Sequence, residues 1–110
     1  MLSVNATPLY KFPKPKTYAA AILVELLNGK KVTNAQMMEL LDCPHAAAVM
    51  SKIRQKFNWL PFLHQRSKQT HSGMGDLTYE FEYWFDSVDI MLLKANDPRI
   101  EKYLEIHRKS

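Results

Sequence analysis

Only one cysteine, Cys43, occurs in the 110 residues, so no internal disulfide can staple the fold, and a reducing compartment is expected. The N-terminus lacks a charged region followed by an apolar core, which argues against a secretory signal. The apolar run from Tyr18 to Leu27 is far shorter than the roughly twenty residues a membrane span needs. A cytoplasmic protein with no membrane partner is therefore expected. Internal repeats, low-complexity tracts and a second domain are also missing. Acids and histidines are present, but none is spaced to group with a nucleophile or a metal, so no enzyme is expected. Cys43 and His45, with His64 and His71 elsewhere, give half of a structural zinc site, which needs four closing ligands. Neither metal nor cofactor is expected. Gly73-Met74-Gly75 lacks the strand–helix setting and third glycine of a nucleotide loop.

With 46% hydrophobic and 24% charged residues, the composition is that of an ordinary folded domain with one core. The formal charge is +4, a mild lean toward polyanions. Its distribution says more. Residues 1–29 carry three Lys and one Glu; residues 30–71 carry seven Lys/Arg against two acids; residues 72–110 carry five against eight. The positive excess sits in the middle of the chain.

That middle holds the main pattern. Thr33 suits an N-cap, because its hydroxyl can accept from a free amide of the first turn. Ala35, Met38 and Leu41, widened by Leu40, give the helix after it an inward stripe. Asp42-Cys43-Pro44 ends that helix, and Pro44 suits the start of the next. In the second helix Ala46, Val49, Met50, Ile53 and Phe57 line one side. His45, Ala48, Ser51, Lys52 and Gln55 look outward. Two short helices, a tight turn and a polar-basic outer face form a helix-turn-helix pattern. Lys suits guanine, Gln suits adenine, and Ser suits bases or phosphate.

The flanks extend the pattern. Met1 to Lys16, with Pro8, Pro13 and Pro15, favours extended chain. Its Tyr10 and Phe12 either pack on the domain, or the segment reaches DNA as a basic arm. Thr17 to Leu27 is a helix, apolar almost all round and hence central, with Asn28-Gly29 as its stop. Lys30-Lys31-Val32 can be a very short strand. Asn58 can take the left-handed conformation that ends the second motif helix. Trp59 to Lys68 and Leu77 to Phe85 read as strands around the turn Ser72-Gly73-Met74-Gly75. On the second strand Leu77, Tyr79, Phe81 and Tyr83 are expected to face the core, with Glu80, Glu82 and Trp84 on the outer face. Asp86 or Ser87 caps a helix through Lys94, or Val88 to Leu92 form strand. Asn96-Asp97-Pro98 starts a terminal helix with Ile100, Tyr103, Leu104 and His107 on one face.

The order helix, short strand, helix, turn, helix, hairpin resembles the small winged-helix proteins common in phages and prophages. The resemblance spans Tyr18 to about Phe85 and rests on Val32-Thr33, Leu40-Leu41-Asp42-Cys43-Pro44, Val49…Lys52-Ile53 and Trp59-Leu60-Pro61-Phe62. It implies a DNA-binding regulator, or an accessory factor for recombination or replication, with Lys52 near the phosphates and Ile53 as core anchor. The spacing of four from Ile53 to Phe57 departs from the family's three.

The expected fold is mainly α (α+β): a winged helix-turn-helix with a three-helix core, a β-hairpin wing and a C-terminal helix. Residues 1–16 form a basic arm, 17–85 the domain and 86–110 a helical extension. Double-stranded DNA is the expected partner, contacted by His45, Ser51, Lys52, Arg54, Gln55 and Lys56 on the helix. Arg66 and Lys68 would contact it on the wing, and Lys30 and Lys31 beside the motif. A homodimer through Trp84, Tyr103 and Leu104 is expected as well. The alternative is a protein-binding module acting through the acidic, aromatic C-terminal half.

Overall fold

In the computed structural model, which describes residues 10–40, 45–71 and 77–109, local capping chemistry sets the helix boundaries. The side chains of 38–40, 68, 70–71, 77–80 and 109 lie outside that description. Helix α1 spans Tyr18–Leu27, and Thr17 Oγ1 accepts from the Ala20 N–H at 3.2 Å. Gly29 closes α1 at φ +83°, a left-handed conformation that glycine adopts without the Cβ clash other residues meet. Ala19, Ala20, Ile22, Leu23, Leu26 and Leu27 are all buried, so α1 is the central helix its composition predicts.

A two-residue strand, β1 (Val32–Thr33), leads into α2 (Asn34–Leu40). Thr33 Oγ1 accepts from the Gln36 N–H at 3.1 Å, and Gln36 Oε1 accepts from the Thr33 N–H at 3.0 Å. Two helix-end donors are satisfied reciprocally. Thr33 is itself buried, and Met37, one turn on, points the same way into the core. Met37 is thus the inward residue and Ala35 is exposed, which corrects the stripe expected through Ala35. Leu41, Asp42, Cys43 and Pro44 lie outside the described residues, so the motif turn does too.

Helix α3 (Ala46–Ser51) continues into a π-helical turn over Lys52–Lys56. The Phe57 N–H donates to the Lys52 carbonyl, five residues back, at 2.9 Å. This widening falls at the spacing of four between Ile53 and Phe57. Ala46, Met50 and Ile53 are buried, and Val49 and Phe57 half-buried, as the periodicity predicts. Asn58 ends the helix at φ +60°.

Trp59 is fully buried, and a single 3₁₀ turn (Leu60–Phe62) separates it from β2 (Leu63–His71). The strand expected from Trp59 therefore starts four residues later. Trp59 fills the core before the chain can extend. Strand β3 (Leu77–Phe85) pairs antiparallel with both β1 and β2, giving the order β1-β3-β2. The register sets Val32 opposite Tyr83, Leu63 opposite Phe85 and Arg66 opposite Glu82. The protein is thus a mixed fold of helices and a small three-stranded antiparallel sheet.

Two side-chain placements on β3 correct the expected alternation. Tyr83 and Phe85 enter the core, but Phe81 is 44% exposed. β1 spans only Val32–Thr33, so Phe81 lies further out on the hairpin than the part backed by the core. Glu82, expected outside, is only 7% exposed. Arg66 stands opposite it and donates Nε and NH2 to Glu82 Oε1 at 2.9 and 2.8 Å, so the carboxylate is covered while paired. Leu77, Tyr79 and Glu80 fall among the undescribed side chains, and the Ser72 to Gly75 turn outside the described residues.

Helices α4 (Ser87–Asn96) and α5 (Pro98–Lys109) complete the chain. Helix, not strand, holds Val88 to Leu92. Tyr103 and Leu104 are 7% and 4% exposed, packed in the core with Ile100. They are not a surface stripe, and the dimer expected through them loses two of its three contacts. Residues 10–16 do not project away from the domain. Tyr10 and Pro13 are buried, and the Tyr10 ring stacks on Trp59 at 4.1 Å. No described helix is long and apolar enough to cross a membrane.

Candidate nucleic-acid interface

The outward face of the second motif helix is formed as its periodicity predicts. His45, Ala48, Lys52, Gln55 and Lys56 are exposed, while Ser51 is half-buried. The π turn carries four of the expected contact residues: Lys52, Arg54, Gln55 and Lys56. Such widened turns recur at functional sites, because an extra residue per turn re-aims the side chains that follow. His45 occupies the N-cap position of α3 without a side-chain capping bond.

The expected cations separate into two sets. In the first, each is already engaged. Lys30 pairs with Glu25 at 3.0 Å. Arg66 is held by Glu82, with its guanidinium 5.6 Å from the Trp84 ring centre. Lys31 lies 5.6 Å from the same ring. Arg54 donates to Gln65 on β2, so it braces the helix against the sheet instead of joining the outer face. The Lys68 side chain is outside the described residues.

Lys52 and Lys56 form the second set, set apart by the lack of any carboxylate or side-chain hydrogen-bond partner among the described residues, although the Lys56 ammonium lies 5.7 Å from the centre of its neighbour Phe57's ring. They line a groove of about 570 Å³ bounded by the α1 N-terminus on one wall and by residues 11–14 on another. Lys11 and Lys14 also line it, and among the described residues no acidic one does. Among the described residues, no carboxylate lies within 4 Å of any of these four ammonium groups. The sequence marked Lys52 and Lys56 on the helix and a basic arm over residues 1–16, but not that Lys11 and Lys14 of that arm lie beside the helix pair. Their position depends on a strap that packs across the domain over a long sequence separation.

Trp84, expected as an interface residue, is half-buried on the outer sheet face. His64 stacks on it at 5.6 Å, and the Trp84 Nε1–H donates to Asp86 Oδ1 at 3.2 Å. His64 Nε2 also approaches Asp86 Oδ2 at 3.1 Å. His64, Asp86 and Asp89 bring one potential ligand atom each to within 4.8 Å of one another. The sequence did not group these three, because the hairpin and the α4 cap bring them together. The His64–Asp86 contact accounts for the arrangement as a polar pair beside a helix start.

No protein-family model matches the chain, and no curated protein matches its sequence.

Proposed function

We propose that this domain is a winged helix-turn-helix that binds double-stranded DNA without catalysis, as a regulator or as an accessory factor for recombination or replication. One observation carries the reading. The helix formed by α3 and the π turn buries Ala46, Met50 and Ile53 while presenting His45, Lys52, Gln55 and Lys56 to solvent. In the proposed complex this face enters the major groove, Gln55 pairs with a base edge, and Lys52 lies between bases and phosphate. The β2–β3 hairpin is the wing. Its Arg66 is committed to Glu82, so its share of phosphate binding is smaller than a basic wing usually gives. The same pairing offsets a carboxylate that would otherwise repel DNA.

Gln55→Ala is the substitution that tests the reading face, because it removes hydrogen-bonding groups and no charge. On a duplex recovered by selection from a random pool, it should cost about 1–3 kcal/mol of affinity, with little change on random duplex. Unaltered affinity and preference would remove α3 and its π turn as the reader.

A second reading is favoured by α4, where Val88, Met91 and Leu92 are all more than half exposed. Leu92 also borders an apolar pocket of about 380 Å³ with Tyr10, Pro61 and Phe62. Exposed apolar surface of this kind suits a protein partner. That module would show little salt-dependent retention on random DNA, where a DNA binder is retained.

A further inference from the structure

We infer that the strap formed by residues 10–16 is a second DNA-contacting element, with Lys11 and Lys14 joining Lys52 and Lys56 to clamp one phosphodiester strand of the duplex. This rests on the DNA-binding reading and changes where its affinity comes from. The sheet-side cations are engaged by Glu25, Glu82, Gln65 and the Trp84 ring. The four groove lysines are exposed, and among the described residues they have no carboxylate partner. Uncompensated positive charge therefore concentrates beside the reading face, where Lys52 belongs to both surfaces. The occupant that complements it is a polyanion with regularly spaced charges, which the backbone of duplex DNA supplies.

The strap is also built to hold its lysines in place. The Lys11 N–H donates to the Phe57 carbonyl at 2.9 Å, one residue from Lys56. The Lys11 carbonyl accepts from Trp59 Nε1–H at 2.8 Å, and the Pro13 carbonyl accepts from the Tyr103 hydroxyl at 2.7 Å. The Thr17 hydroxyl donates to the Lys14 carbonyl at 2.8 Å. Lys11 and Lys14 therefore start from a fixed backbone, and ordering it on DNA costs little. Tyr18, 45% exposed on the groove wall, offers a hydroxyl to a phosphate oxygen. The α1 N-terminus, also on that wall, adds the positive end of its dipole.

The test is the affinity of the full chain for a fluorescein-labelled random-sequence duplex, measured by anisotropy over a series of NaCl concentrations. The variants are K11A/K14A and K11R/K14R. Each lysine that meets a phosphate adds about 0.9 to the slope of log affinity against log salt, so K11A/K14A should flatten it by about two. K11R/K14R should keep the wild-type slope, because charge is the requirement. The anchoring bonds use backbone atoms, so both variants should melt with the wild type. A wild-type slope in K11A/K14A, with duplex binding intact, overturns the strap's role and leaves the DNA-binding reading standing. Absence of duplex binding by the wild type at low salt overturns both.

Discussion

Replacing Trp59 with alanine should remove about 3–5 kcal/mol of stability, the usual cost of truncating a buried aromatic. Its ring is fully buried and joins the strap of residues 10–16 to strand β3. Tyr10 stacks on it at 4.1 Å and Phe85 at 5.7 Å, while Phe12 meets it edge-on at 5.8 Å. Its Nε1–H holds the Lys11 carbonyl, so truncation also leaves a strap acceptor unpaired. A domain of this size has roughly 5–15 kcal/mol in total, so the variant should sit near its unfolding threshold. Urea unfolding measures the loss directly. Trypsin adds a local readout, because a released strap should be cut after Lys11 and Lys16 while the rest of the chain survives longer. A loss under about 1 kcal/mol would mean that the strap and sheet do not meet through this ring.

Asp97→Ala should be the second most damaging change, at about 2–4 kcal/mol, combining an unpaired buried hydroxyl with a lost helix cap. Asp97 is 5% exposed at the start of α5. Its Oδ2 accepts from the Tyr10 hydroxyl at 2.6 Å, and its Oδ1 accepts from the Arg99 backbone N–H at 3.0 Å. The Arg99 guanidinium grips both oxygens at 2.8–3.2 Å. That guanidinium, aided by the Tyr10 hydroxyl and opposed by burial, lowers the Asp97 pKa from 3.8 to about 2. The folded carboxylate binds its proton more weakly than the unfolded one. Its contribution is therefore complete above about pH 4 and is lost as the pH falls toward 2. Asp97→Asn keeps one acceptor and removes the charge, so its stability should lack this acid-dependent fall. Parallel acid slopes for wild type and Asp97→Asn over pH 4 to 2 would rule out the pair as the source.

The contrast between what the sequence revealed and what it hid follows the range of each interaction. Thr33, Gly29, Asn58 and the Asp97-Pro98 start are legible because capping and left-handed stops involve only a few neighbouring residues. The buried side of α3 is legible because its period is helical. Met37 was missed because two adjacent methionines leave the phase of a short helix open until Thr33 and Gln36 fix it. Glu82 reads as a surface acid until the strand register sets Arg66 opposite it. The strap was legible only as two alternatives, packing on the domain or reaching out as a basic arm, and its exact course was hidden for the same kind of reason. Tyr10 reaches Asp97 across 87 positions, and no local pattern announces such a contact. As a result, the candidate site was half legible. Its helix residues follow from spacing, while the lysines that share their groove follow only from packing.

The central claim is that this domain binds duplex DNA through a surface containing Lys52, Gln55 and the groove lysines. The most direct measurement is the salt dependence of wild-type binding to a labelled random duplex. Four groove lysines at about 0.9 each predict that log affinity falls linearly with log salt, with a slope of about −3 to −4. No binding at low salt, or an affinity that does not change with salt, would contradict the account.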